Sequence, residues 1–332
     1  MSLLKGEDLN LGVGMEDPAS RGTLVTPQGW IPARTPTGIN VEVIKAMIKE
    51  TKASGIASQG SEIVQRKASG DLEFNVRSEM IGYILKSLIG YCETASVYGT
   101  VNSHTFGILA NNPQFPTISL GLSQPNLQDY GYNGALVKSL ELKTPVDDLV
   151  NATIEFEARD EAEHSNYTPA FIDTDYLFRP YDVEIKLASN IAGLAAAEAI
   201  DMKEFSLAIK NNGRAQQNIG TITPTDLIAN LLEITGNMVV DYKGDTYHDY
   251  FKDGTYRAMQ ITLTRSDIDL EGGYNPSIII QLAKVSFEGS NPDRPIDDIV
   301  RDSLNFTAHY SSDDSEAINI VLQNTVADYL KE

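Results

Sequence analysis

Along most of the chain, polar and apolar residues alternate with a period of two. Asp71-Leu72-Glu73-Phe74-Asn75-Val76 has the pattern of a strand with one buried and one wet face. The pattern returns in Asn151-Ala152-Thr153-Ile154-Glu155-Phe156-Glu157-Ala158, in 182–187 and in 204–210. Further strands are predicted at 104–109, 116–122, 136–142, 236–242, 257–264, 276–287, 303–309 and 317–322. Helical signals are few. Ile81, Ile84, Leu85 and Leu88 share one face of a short helix, with Ser78 as its cap and Gly90 past its end. The segment 40–52 reads both ways: Ile44, Met47 and Ile48 fit a helix, Ile39, Val41 and Val43 a strand. The segment 224–232 holds at most two helical turns. The pattern predicts a strand-dominated protein with one or two short helices.

An internal repeat organises these strands. Pro145-Val146-Asp147-Asp148-Leu149-Val150 recurs as Pro295-Ile296-Asp297-Asp298-Ile299-Val300, and the register then holds through Phe156/Phe306 and Ala158/Ala308. Earlier in each half, Ser69-Gly70-Asp71-Leu72 parallels Thr235-Gly236-Asn237-Met238. We read an N-terminal arm at 1–23, a first β-rich copy at 24–160 and a linker at 161–173. A second copy follows at 174–310, then a C-terminal strand and tail at 311–332. The alternative is two strands of one sandwich that share good turn chemistry.

Composition narrows the function. The 332 residues carry 26 Lys+Arg against 46 Asp+Glu, a formal charge of −20. Phosphate backbones are held by clustered cations, so general nucleic-acid affinity is not expected. One thiol, Cys92, rules out an intramolecular disulfide framework and a cysteine-rich zinc site. The N-terminus lacks the apolar run of a signal peptide, and the longest apolar stretch, 191–197, falls far short of a bilayer span of about 20 residues. The expectation is a protein made in a cytoplasm-like compartment or a particle assembled there, with no membrane partner.

Catalytic motifs do not emerge. There is no phosphate-cradling loop, no nucleophile elbow and no His-Glu-x-x-His helix. Glu155 and Glu157 point to the same side of one strand, whereas a glycosidase dyad needs carboxylates facing across a cleft. Asp267, Asp269 and Glu271 alternate as in a calcium loop but lack its twelve-residue ligand spacing. His104, His164 and Cys92 have no adjacent catalytic partner in sequence. No enzyme, cofactor or metal site is expected.

Several segments, in order, resemble the tail tube (major tail) proteins of long-tailed bacteriophages. They begin with Gly12-Val13-Gly14-Met15-Glu16, 21–27 and Trp30-Ile31-Pro32, followed by 64–72 with its Ser69-Gly70-Asp71-Leu72 strand. The helix-like 82–90, the strands 116–120 and 132–142, and the stretches 190–194 and 205–207 continue the likeness through the second copy.

The resemblance implies a mainly β fold: duplicated β-sandwich or barrel-like domains whose rings stack into a hollow tube of the virion tail, assembled in the host cytoplasm. Such a tube holds the tape-measure protein, meets tail terminator and tail-tip proteins, and conducts DNA without binding it specifically. A hexameric ring, the family's usual arrangement, is the preferred expectation; three chains would close a pseudo-sixfold ring if both copies built the wall. An acidic bore would repel phosphate, which gives the −20 charge a role. Glu73, Glu155, Glu157 and Asp241 are the lumen-facing candidates, with an ordinary outer face as the alternative. The ends, 1–22 and 325–332, are expected to be ring-to-ring arms. A different class of reading is a β-sandwich virion module that recognises a host glycan or another tail protein through Tyr247, Tyr250, Phe251 and Tyr256.

Overall fold

The computed structural model of the protein describes residues 5–34, 38–50, 57–109, 112–293, 297 and 299–329. Pro295, Ile296 and Asp298 of the second hexapeptide lie outside them, as do residues 1–4 and 330–332 of the expected arms.

Alternation becomes strands at nearly every predicted place. The first half holds β1 (Asn10–Met15), β2 (Gly29–Ile31), β3 (Asn40–Met47), β4 (Ser61–Asn75), α1 (Ile81–Ile89), β5 (Gly90–Tyr98), β6 (Val101–Ile108), β7 (Ile118–Ser123), β8 (Asp129–Pro145), β9 (Asn151–Ala158) and β10 (Asp160–His164). The second holds β11 (Val183–Ala188), β12 (Met202–Lys210), β13 (Arg214–Gln216), β14 (Asp226–Ile228), β15 (Glu233–Asp241), α2 (Thr246–Lys252), β16 (Arg257–Thr264), β17 (Ser277–Asp293), β18 (Arg301–His309) and β19 (Ile318–Asn324).

The pairing pattern occurs twice, always antiparallel. β3, β4, β9 and the later part of β8 form one layer, while β2, β1, β7, the early part of β8 and β10 form another. β12, β15, β18 and the later part of β17 repeat the first layer; β11, β16, the early part of β17 and β19 repeat the second. Even the irregularities correspond: β8 bulges against β9 between Val137 and Ser139, and β17 against β18 between Phe287 and Gly289. Gly70 lies opposite Phe156, and Gly236 opposite Phe306. A Cβ at Gly70 would stand 2.9 Å from the Phe156 ring, and one at Gly236 would meet the Phe306 ring and the Ser206 carbonyl. Each copy thus keeps a glycine where an aromatic ring crosses its backbone.

The copies are joined rather than merely tethered. β8 pairs with β12, which makes one eight-stranded sheet in the order β3-β4-β9-β8-β12-β15-β18-β17. The β5–β6 hairpin of the first copy reaches across to pair with β19 of the second. One face of the eight-stranded sheet carries Leu72, Phe74, Ile154, Phe156, Leu207, Ile209, Leu304 and Phe306, all in a single core. Each fully buried side chain of this size contributes about 1.5–3 kcal/mol.

Several expectations change. The sheets stay open, so the barrel-like alternative is replaced by sandwich layers with free edges. Residues 40–47 are strand, because their period-two set pairs with β4. Residues 226–228 pair with 214–216 instead of turning as a helix. Ser78 does not cap α1; its hydroxyl accepts from the Tyr176 amide at 3.0 Å. The ends are not loose where described. Within the expected 1–23 arm, Leu11, Val13 and Met15 of β1 are core residues, and Tyr329 of the expected tail is fully buried. Residues 160–164, at the start of the expected linker, pair with β8.

Candidate functional site

The second face of the eight-stranded sheet is mostly polar, with Ala208 and Val239 among its polar residues, since every buried position alternates with one pointing the other way. Rows of paired residues cross it. One runs Asp71, Glu155, Ser139, Lys210, Glu233; the next runs Glu73, Thr153, Glu141, Ala208, Thr235, Thr307; a third runs Asn75, Asn151, Lys143, Ser206, Asn237, Asn305.

The two copies give this face different chemistry. The first contributes Asp71, Glu73, Glu141 and Glu155, of which Glu141 is bridged to Lys143 at 3.1 Å and Glu73 to Arg34 at 3.5 Å. Asp71 and Glu155 are directly opposed and exposed. The corresponding positions of the second copy carry Thr235, Asn237, Ser303, Asn305 and Thr307. Here the Asn237 amide donates to Asn305 at 2.9 Å and to the Ser303 hydroxyl at 3.0 Å.

The four carboxylates singled out in sequence therefore fare differently. Glu73 and Glu155 lie on the polar face of the first copy. Asp241 lies at the far end of the second, ion-paired to Arg301 at 3.5 Å. Glu157 is buried under Lys67 and Lys138, at 3.0 and 3.2 Å. Burial opposes the charge of Lys67, but the Glu157 hydrogen bond and charge outweigh it and raise its pKa. Glu157 acts as an internal ion pair holding β4, β9 and β8 together.

Other candidate chemistry resolves into structure. Asp267 is gripped by Arg179 at 2.8 Å and Arg265 at 2.9 Å, hydrogen bonds that hold its carboxyl below the usual range. Asp269 accepts from the Gly273 amide, and Glu271 from the Thr100 amide and hydroxyl. The three acids of the calcium-like loop thus turn to separate protein donors. His104 is buried between Thr94 at 2.9 Å and Asn324 at 3.0 Å, and burial lowers its pKa. Burial pushes the Cys92 thiol up to about 11, so it is a poor nucleophile. The aromatic cluster is divided: α2 half-buries Tyr247 and Tyr250 against the core, with Tyr250 stacked on Phe287 and Arg257 over its ring, whereas Phe251 and Tyr256 are exposed.

Sequence reasoning missed two features. The open edges of the large sheet depend on remote pairings. The C-terminal Tyr329 carries no periodic signal, yet it plugs the core beside α1. The chain exposes 16456 Å², against about 13,000 Å² for a compact monomer of its mass.

Comparison with known proteins fits this geometry. A family model described as phage tail tube protein matches residues 46–308, most of the chain. No curated protein matches it.

Proposed function

The chain belongs to the phage tail tube protein family, a family of structural proteins of the virion tail, and we propose that its rings stack into a hollow tube. In this reading the tube holds the tape-measure protein, then conducts DNA during ejection. Tail terminator and tail-tip proteins cap its ends, and assembly takes place in the host cytoplasm. The observation that carries the reading is the eight-stranded sheet, which among the described residues has one apolar face covered by its own second layer, one polar face left bare, and an open edge at each end. An open sheet edge is a template for pairing with another chain.

With the polar face inward, Asp71, Glu73, Glu141 and Glu155 line the bore, and Asp241 sits near one rim. These carboxylates repel phosphate, while Lys143, Lys210 and Arg301 on the same face lie beside Glu141, Glu233 and Asp241. Six chains close a ring if one copy per chain builds the wall, and three if both do. The continuity of the sheet through both copies favours three.

A labelling experiment tests which way the face looks. In a Cys92→Ser background, Glu155→Cys is expected to react with a small maleimide in free subunits and in tubes. A polymer-linked maleimide too large for the bore is expected to react only with free subunits. Equal labelling of assembled tubes by both reagents would put the face on the outer wall.

A further inference from the structure

Two cations of the second copy have no acidic partner, although the chain carries a net charge of −20. Among the described residues, neither Arg257 nor Lys284 makes a hydrogen bond or an ion pair. The Arg257 guanidinium lies 4.0 Å over the Tyr250 ring, and its Nε is buried without an acceptor. The Lys284 ammonium lies 4.2 Å over the Tyr256 ring. A ring face attracts a cation but offers no lone pair in line with its N–H groups. β17 brings the two together as it passes between layers: Arg257 of β16 is opposite Val285, and Lys284 is opposite His309 of β18.

Both cations line a cavity of about 410 Å³, bounded by the turn after β11 and the turn between β18 and β19. Small-molecule sites span about 300–1,000 Å³. Tyr256 is 51% exposed there, with His309 against its edge. Asn190 accepts from the Gly193 amide at 3.0 Å through its side-chain oxygen, which leaves its NH2 group without an acceptor among the described residues. One oxygen of Asp314 accepts from the Ser311 hydroxyl at 2.7 Å, and the neighbouring Asp313 is exposed. A bare anion entering this cavity meets two carboxylates as well as two cations. A ligand with hydroxyl donors and one negative group satisfies both kinds of charge.

We propose that this cavity binds an acidic sugar, a pyranose bearing one carboxylate. The carboxylate accepts from Arg257 and Lys284, whose N–H groups are otherwise unused. Ring hydroxyls donate to Asp313 and Asp314 and accept from the Asn190 amide, and the apolar ring face lies beside Tyr256. Tyr250 acts from behind, holding Arg257 in place. The net charge narrows the ligand further. A chain at −20 repels a polyanion over its whole surface, whereas a sugar with a single charge feels little of that repulsion. The site lies within one chain, so binding does not depend on ring formation.

The test is a nuclear magnetic resonance titration of the full chain. Its probes are glucuronic, galacturonic and N-acetylneuraminic acids, neutral glucose and galactose, and acetate and inorganic phosphate. At least one acidic sugar is expected to bind about tenfold or more tightly than the neutral sugars, acetate or phosphate. Arg257→Gln and Lys284→Gln are each expected to weaken that binding about tenfold, the loss of a charged hydrogen bond. Tyr256→Ala should weaken it as well, through the lost ring contact. Circular dichroism checks that each variant is folded. Lys284 is only half-buried, so Lys284→Gln carries the test if Arg257→Gln does not fold. Failure of every acidic sugar to bind overturns the proposal. Acetate or phosphate binding as tightly as the best sugar would make this a plain anion site and overturn sugar recognition. Undiminished binding by Lys284→Gln and Tyr256→Ala would place the sugar elsewhere and overturn the assignment of this cavity.

Discussion

Tyr329 is the residue whose removal should cost the subunit most for its position in sequence. Its ring meets Tyr83 edge-on at 5.0 Å and His104 at 4.6 Å, over the space left by Gly82 on α1. Its hydroxyl donates to the Glu79 carbonyl at 2.6 Å and accepts from the Asn324 amide at 2.7 Å. Its own carbonyl accepts from the buried Lys86 amine at 2.8 Å. The tail of the second copy is thereby locked to the helix of the first. Tyr329→Ala empties an aromatic site and should destabilise by about 3–5 kcal/mol. Tyr329→Phe keeps the ring but strips two buried partners of their hydrogen bond, at about 1–3 kcal/mol. Urea unfolding followed by circular dichroism reads both. With a slope near 3 kcal/mol/M, the alanine variant should lose about 1 M or more in midpoint. Two variants within about 0.5 kcal/mol of wild type would show that the C-terminus does not hold the copies together.

Two further outcomes are expected. Asp175 is buried and accepts from the Glu79 amide at 2.7 Å, and desolvation pushes its pKa up to about 6. Because that lies above the ordinary value near 3.9, its contribution is full below about pH 4 and is lost as pH rises through 6. Asp175→Asn should flatten this slope and gain up to about 3 kcal/mol at pH 8, measured by urea unfolding at pH 4.5 and 8; an unchanged slope contradicts the assignment. Gly236→Val drives a branched side chain into the Phe306 ring and the Ser206 carbonyl, and should cost about 3 kcal/mol or prevent folding. A thermal midpoint equal to wild type would refute the close approach.

Much of the fold was legible because a sheet with one wet face writes itself as alternation. The strands around Leu72, Ile154, Leu207 and Ile261 needed no other signal. β1 was hidden by its two glycines, and β10 by its acids. β8 and β17 were read too short because each leaves one layer for another partway along, which alternation does not record. α2 was missed because its residues are mostly aromatic and polar without a clean stripe. Among the site residues, the shared face of Glu73 and Glu155 follows from strand parity. The burial of Glu157 does not: it depends on Lys67 and Lys138 arriving from two other strands.

The most direct test is electron cryomicroscopy of tubes assembled from the purified full-length chain. The account predicts a hollow wall built of stacked rings, with Glu73 and Glu155 facing the bore. A chain that stays single under every assembly condition, or a wall whose bore is lined by lysine and arginine with these carboxylates outside, would contradict it.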